Sequence, residues 1–146
     1  MKIYFDNCSL HRPFDNKAQL RVALEAEAVL GVLAVCEAGK AILVSSEVLR
    51  LENERDPQPQ GRAFVSSTLD QATALVTVNE DIRNRAQELK RRGFKAFDAL
   101  HVACAEAGEV DYFCTCDDRL LKKSRGQSDL LVKVVSPLEL ANEISP

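Results

Sequence analysis

Ala41-Ile42-Leu43-Val44-Ser45-Ser46-Glu47-Val48-Leu49-Arg50-Leu51-Glu52 holds a strand, a cap and a helix in direct succession. Ala41 to Val44 is a short apolar run of strand length. Ser45 and Ser46 are N-cap candidates, since a seryl oxygen can accept from the unpaired N–H groups of a first helical turn. Glu47 to Arg55 then reads as a helix until Asp56-Pro57-Gln58-Pro59 breaks it. The same unit recurs on both sides. Upstream, Lys2 to Phe5 is a strand ended by Asp6-Asn7. Gln19 to Glu37 carries Leu20, Val22, Ala23, Ala26, Leu30, Leu33 and Ala34 at helical spacing and stops at Gly39.

Downstream, Gly61 to Leu69 is helical and Ala74 to Val78 is a strand. Asn79 caps a charged helix that runs through Arg92 and closes at Gly93. Phe97-Asp98 opens the helix Ala99 to Ala107, which ends at Gly108. Tyr112 to Thr115 is a strand, Asp118 to Lys123 a short helix, Leu131 to Val135 a last strand, and a helix starts at Pro137. Strands alternating with helices need βαβ crossovers. The expectation is an α/β, three-layer fold with a mainly parallel sheet of about five strands, formed by residues 1–146 as one domain.

Composition is consistent with this. Of 146 residues, 46% are hydrophobic and 28% charged, which excludes the disordered and collagen-like classes. Apolar runs fall far short of the roughly 18 residues of a membrane span. Met1-Lys2-Ile3-Tyr4-Phe5-Asp6 does not read as a secretion signal. A cytoplasmic protein with no membrane partner is expected. The net charge of −3 does not announce a nucleic-acid binder, although local patches decide binding. The five cysteines Cys8, Cys36, Cys104, Cys114 and Cys116 are odd in number and form no CxxC pair, so they are read as free, buried and inert.

In a parallel α/β sheet a ligand binds beyond the carboxyl ends of the strands, where strand order reverses. The polar residues at those ends are acids: Asp6 after the first strand, Asp117 and Asp118 after the Tyr112–Thr115 strand, Asp98 at a helix start, and Glu47 and Glu52 after the second strand. Taken singly, each is an ordinary cap or surface residue. Gathered at one sheet end, they would repel one another and would call for a cation. Oxygen-only ligation suits Mg²⁺ or Mn²⁺. Glu47 and Glu52 are five positions apart, on divergent helix faces, and spacing alone does not choose between them.

Other chemistries lack their motifs. No G-x-S-x-G, G-x-G-x-x-G or Walker sequence occurs. His101, among Leu100, Val102 and Ala103, reads as a packed, hydrogen-bonded residue rather than a general base. His11 lies in the loop after the first strand. The bases are grouped as Lys90-Arg91-Arg92 with Lys95, and Lys122-Lys123 with Arg125, with Arg12 in the first loop. Arg12, Lys90, Arg91, Lys122 and Lys123 are candidate contacts to a phosphate backbone.

Four segments together resemble the PIN-domain family of small metal-dependent nucleases, which includes toxins of prokaryotic toxin–antitoxin pairs. They are Ile3-Tyr4-Phe5-Asp6-Asn7, Ser45-Ser46-Glu47-Val48-Leu49-Arg50-Leu51-Glu52, Phe97-Asp98-Ala99-Leu100-His101-Val102-Ala103, and Tyr112-Phe113-Cys114-Thr115-Cys116-Asp117-Asp118. The resemblance spans nearly the whole chain and implies a Rossmann-like parallel sheet. It implies Asp6, Glu52, Asp98 and Asp117 as catalytic metal ligands, with Glu47 as the fallback for Glu52 and Asp118 as an additional ligand. Asn7 and Thr115 take supporting roles. The Asn7–Asp15 loop resembles one branch of the family.

The implied activity is endonucleolytic cleavage of single-stranded RNA. Mg²⁺ or Mn²⁺ would lower the pKa of a water for attack on phosphorus, and no histidine or serine nucleophile is needed. An antitoxin protein and a homodimer are the implied partners. Three rivals are weighed. A PIN fold without catalysis would only bind RNA or protein. A phospho-receiver needs an aspartate at a strand end, whereas Asp56 lies in a proline-broken turn. A haloacid-type phosphatase needs Asp-x-Asp after the first strand, where Cys8 stands instead.

Overall fold

A computed structural model describes residues 1–144. Five short strands form one sheet: β1 (Lys2–Phe5), β2 (Ile42–Ser46), β3 (Ala74–Val76), β4 (Tyr112–Cys114) and β5 (Lys133–Val135). Every pairing is parallel and the order is β3-β2-β1-β4-β5. The helices are α1 (Asn7–His11), α2 (Leu20–Glu37), α3 (Glu47–Glu54), α4 (Pro59–Asp70), α5 (Glu80–Arg91), α6 (Ala96–Ala107), α7 (Asp118–Arg125) and α8 (Pro137–Ile144). The fold is α/β and Rossmann-like. Among the described residues no helix is long and apolar enough to cross a membrane.

The central strand is the most buried. Ile3, Tyr4 and Phe5 are wholly inaccessible, as is Phe113 of β4, whose ring stacks on that of Tyr4 at 5.4 Å. Burying each such side chain contributes roughly 1.5–3 kcal/mol. The chain winds from β1 to β2 to β3 on one side, then crosses to β4 and β5 on the other. Strand order therefore reverses between β1 and β4. Phe5 pairs with Cys114 there, and the Asp6 N–H donates to the Cys114 carbonyl at 3.1 Å. Asp6 and the Thr115–Asp117 segment leave the sheet side by side at this point.

Several boundaries differ from the sequence reading, each for a local reason. The segment read as a loop from Asn7 to Asp15 is α1 followed by a 3-10 turn, Arg12–Phe14. Asp6 starts it, because its carboxylate accepts from the Ser9 N–H at 3.1 Å. His11 is thus helical and buried, with Nε2 2.8 Å from Asn53 Oδ1. Ser45 belongs to β2, and only Ser46 caps α3, accepting from the Leu49 N–H at 3.1 Å.

Helix α6 begins at Ala96, with Lys95 in the cap position and no side-chain cap bond. Asp98 therefore lies inside the first turn. β3, β4 and β5 are each three residues long, shorter than read: Val78 and Leu131 lie outside the ladder, and Thr115 keeps only its N–H bond to the Val135 carbonyl at 3.0 Å. Gly93 ends the α5 connection at φ +101°, a conformation that favours glycine.

Candidate active site

Asp6 is 4% exposed at the switch between β1 and β4. One of its oxygens, Oδ1, accepts from the Ser9 N–H and from the Cys8 thiol, both at 3.1 Å. The Thr115 hydroxyl lies close enough to pull the pKa of its carboxyl down. Burial pushes the Asp6 carboxyl up from its usual range, against the opposing pull of these bonds and of nearby His101. Thr115 in turn accepts from the Asp117 N–H at 3.0 Å, so one hydroxyl sits between the two strand ends.

Asp117 caps α7 through Oδ1, which accepts from Arg119 N–H at 2.9 Å and Leu120 N–H at 3.4 Å. Asp98 faces the same place from α6. Burial pushes its carboxyl up to about 6, and the charges of Asp6 and Asp117 push in the same direction. Three carboxylates from three elements thus feel one another.

Glu52, on the last turn of α3, contacts α6 through His101. Its Oε1 lies 2.9 Å from Nε2 of buried His101. The Tyr4 hydroxyl is close enough to Asp6 and Glu52 for both charges to raise its pKa beyond the larger effect of burial. Glu47 points elsewhere: its Oε1 accepts from the Val78 N–H at 2.6 Å, tying α3 to the segment after β3. Of the two helix acids left open by spacing, geometry brings Glu52 towards the other carboxylates.

Asp118 stands apart. Both its oxygens are taken by Arg21 of α2, at 2.6 and 2.8 Å. Asn7 Oδ1, next to Asp6 in the chain, is buried with no hydrogen-bond partner. Arg12 spends its guanidinium on Asp15 and on the buried Glu25, each at 3.0 Å. His101 is 2% exposed and hydrogen-bonded at both ring nitrogens, as its sequence context indicates. The five cysteines are free, but only Cys104, Cys114 and Cys116 are buried; Cys36 is half-buried and Cys8 is exposed, beside Asp6 of the acid cluster.

Of the candidate phosphate contacts, Lys123 and Lys90 line two separate clefts. A cleft of about 220 Å³ is lined by Asp98 and Asp117 together with Lys95, Arg119 and Lys123. Lys90 instead lines a groove of about 430 Å³ among Val48, Leu51, Ala86, Phe97 and Leu100. Arg92 is occupied by Glu88 and Asp129, and Arg125 by Glu139. Sequence reasoning missed Arg119. Its signal is position: two residues after a capping aspartate, it falls in the first turn of α7 beside the acids.

The donor set is entirely oxygen, which fits a hard dication. Among the described residues no three His, Cys, Asp or Glu side chains are drawn together closely enough to clasp one ion. Mg²⁺ does not require that, since it keeps several waters and takes one or two carboxylates directly. The repulsion that raises the Asp98 pKa is what such an ion would relieve.

Comparison with known proteins agrees with this architecture. The FitAcB structure from Neisseria gonorrhoeae superposes with a TM-score of 0.58 at 15% identity, covering 93% of this chain and 98% of that one. VapBC2 from Rickettsia felis, bound to a DNA fragment from their promoter, gives 0.62 at 12% identity, covering 92% and 99%. At these identities the likeness is one of fold. No curated protein matches the chain. The family model for the PIN domain matches residues 3–126, and the chain belongs to that family.

Proposed function

We propose that this PIN-domain protein is a metal-dependent endoribonuclease that cleaves single-stranded RNA. PIN domains are generally nucleases. The observation that carries the reading is Asp98, a carboxyl held at about 6 by burial and by the charges of Asp6 and Asp117, in a cleft also lined by Lys95, Arg119 and Lys123. A structural acid gains nothing from such a setting, and a cation site does.

Asp6, Glu52, Asp98 and Asp117 would hold Mg²⁺ or Mn²⁺, with Asn7 and Thr115 supporting them. When bound, the ion supplies Lewis-acid chemistry: it acidifies water and offsets charge on a phosphoryl oxygen. The protein's own part is placement. Thr115 accepts from the Asp117 N–H and its hydroxyl lies by Asp6, so one side chain sits between the acids that follow β1 and β4. Lys95, Arg119 and Lys123 bind phosphate oxygens of the strand and set it against the acids. A flexible single strand enters a cleft of this size more readily than a stacked duplex. Lys90, Arg91 and Lys122 would meet phosphates farther along, whereas Arg12 and Asp118 serve first to join α2 to the site. An antitoxin protein and a homodimer are the partners proposed; light scattering of the purified chain tests the dimer.

The test is cleavage of mixed single-stranded RNAs in Mn²⁺ or Mg²⁺ and in excess EDTA. Cleavage that needs the ion, and that Asp6→Asn abolishes, is the expected result. Equal cutting in EDTA, with contaminating nuclease excluded by the same variant, overturns the metal reading. RNA binding without cleavage under any ion assigns the chain to the non-catalytic alternative.

A further inference from the structure

We propose that Tyr4 and His101 are positioning residues that aim the Glu52 carboxylate through a one-way hydrogen-bond chain starting at Ser46. This rests on the reading of Glu52 as one of the cation-holding acids. Three contacts define the chain: Ser46 Oγ to Tyr4 Oη at 2.7 Å, Tyr4 Oη to His101 Nδ1 at 2.7 Å, and His101 Nε2 to Glu52 Oε1 at 2.9 Å. Ser46, Tyr4 and His101 are 0%, 0% and 2% exposed, so water does not complete their bonding from bulk.

The protons can be placed one at a time. An ionised carboxylate only accepts, so Nε2 of His101 must carry the hydrogen facing Glu52. Nδ1 of the neutral ring is then an acceptor, and the Tyr4 hydroxyl is the donor that meets it. That leaves the Tyr4 oxygen to accept from the Ser46 hydroxyl. Ser46 Oγ, as the cap of α3, accepts from the Leu49 N–H at 3.1 Å. Each proton is used once and every step runs towards Glu52.

The path has a mechanical meaning. It leaves α3 at its cap, crosses β1 and α6, and returns to the last turn of α3. Tyr4 is two residues before Asp6 on β1, and His101 is three after Asp98 on α6. Two elements that supply acids, β1 and α6, are therefore tied to the orientation of the acid on α3. The Tyr4 ring is stacked on Phe113, and Phe97 lies 6.5 Å from the His101 ring, which holds both rings in place.

The direct test is long-range ¹H–¹⁵N correlation of the histidine-labelled wild-type protein in EDTA, with His101→Gln assigning the signals. A neutral His101 carrying its hydrogen on Nε2 is expected, and Tyr4→Phe should admit the Nδ1–H form. A His101 protonated on Nδ1, alone or on both nitrogens, overturns the chain. The second arm is Mn²⁺ affinity, where loss of a supporting partner typically costs about 10-fold or more. Tyr4→Phe and His101→Leu should weaken binding, His101→Gln should recover part of it, and Tyr4→Phe should add nothing on top of Glu52→Gln. Wild-type affinity in Tyr4→Phe overturns the positioning role. Unchanged affinity in Glu52→Gln overturns the ligand reading instead, and the spectra still judge the hydrogen-bond chain.

Discussion

Asp98 occupies the third position of α6, where its charge has a modest favourable interaction with the helix N-terminus, about 0.3–1 kcal/mol. It does not cap the helix, because Lys95 holds that position. Against the dipole stand desolvation and two neighbouring carboxylates, which together win, since the carboxyl is pushed up to about 6 rather than down. Asp98→Asn should therefore leave the EDTA-treated protein with an equal or higher melting temperature. The same variant should gain less from Mn²⁺ and lose RNA cleavage. Thermal melts with EDTA and with Mn²⁺, beside one cleavage assay, check this. A destabilised variant with wild-type Mn²⁺ response would return Asp98 to a structural role.

Helix α7 shows how one side chain serves two ends. Asp117 uses Oδ1 to cap the helix, so cap and ligand are not competing readings. Asp117→Ala should cost about 0.5–2 kcal/mol in EDTA, as a lost cap does, and should also gain less from Mn²⁺. Asp117→Asn keeps the cap, so its melt in EDTA should stay near wild type while its Mn²⁺ gain shrinks. Comparing the two separates the functions. The same helix carries Arg119 and Lys123 into the acid cleft. Replacing both with Ala should lower the slope of log K against log salt for RNA by about one per lost phosphate contact. An unchanged slope would remove them from the interface.

These elements also show what the sequence made legible. Asn79 as a cap, and Asp6 and Asp117 as strand ends, were readable because a polar residue directly after an apolar run stops a strand. Helix α1 was not, because Asn7-Cys8-Ser9-Leu10-His11 is too short to carry a period. The choice of Glu52 over Glu47 needed tertiary contacts, His101 for one and the Val78 N–H for the other. The pairing of Asp118 with Arg21 joins residues 97 positions apart, which no local pattern encodes.

For the whole molecule, two sets of acids pull stability in opposite directions with pH. Surface acids paired with arginine or lysine, such as Asp129 at about 2 and Glu88, Glu139 and Glu143 below their usual range, favour the fold once ionised. That stabilisation is present above their unfolded values near 4 and is lost as pH falls through their folded ones. It is small because the pairs are exposed. The acid cluster behaves in reverse. Asp98 keeps its proton up to about 6 in the fold but releases it at its ordinary 3.8 when unfolded, and Asp6 is raised as well. For Asp98, the unfolded state binds fewer protons between those values, so stability falls as pH rises, and its share of the loss is complete above about 6. A dication binds only the deprotonated acids and favours the folded state. In EDTA the melting temperature should thus decline from about pH 4 to pH 6 and then level off, as far as Asp98 determines it. With saturating Mn²⁺ the decline should disappear, so the gap between the two curves widens up to about pH 6–7. Asp98→Asn should flatten the EDTA curve and narrow the gap. Melts at closely spaced pH values in both conditions measure this, and a gap that is constant across the range would show that the raised carboxyls do not take part in holding the ion.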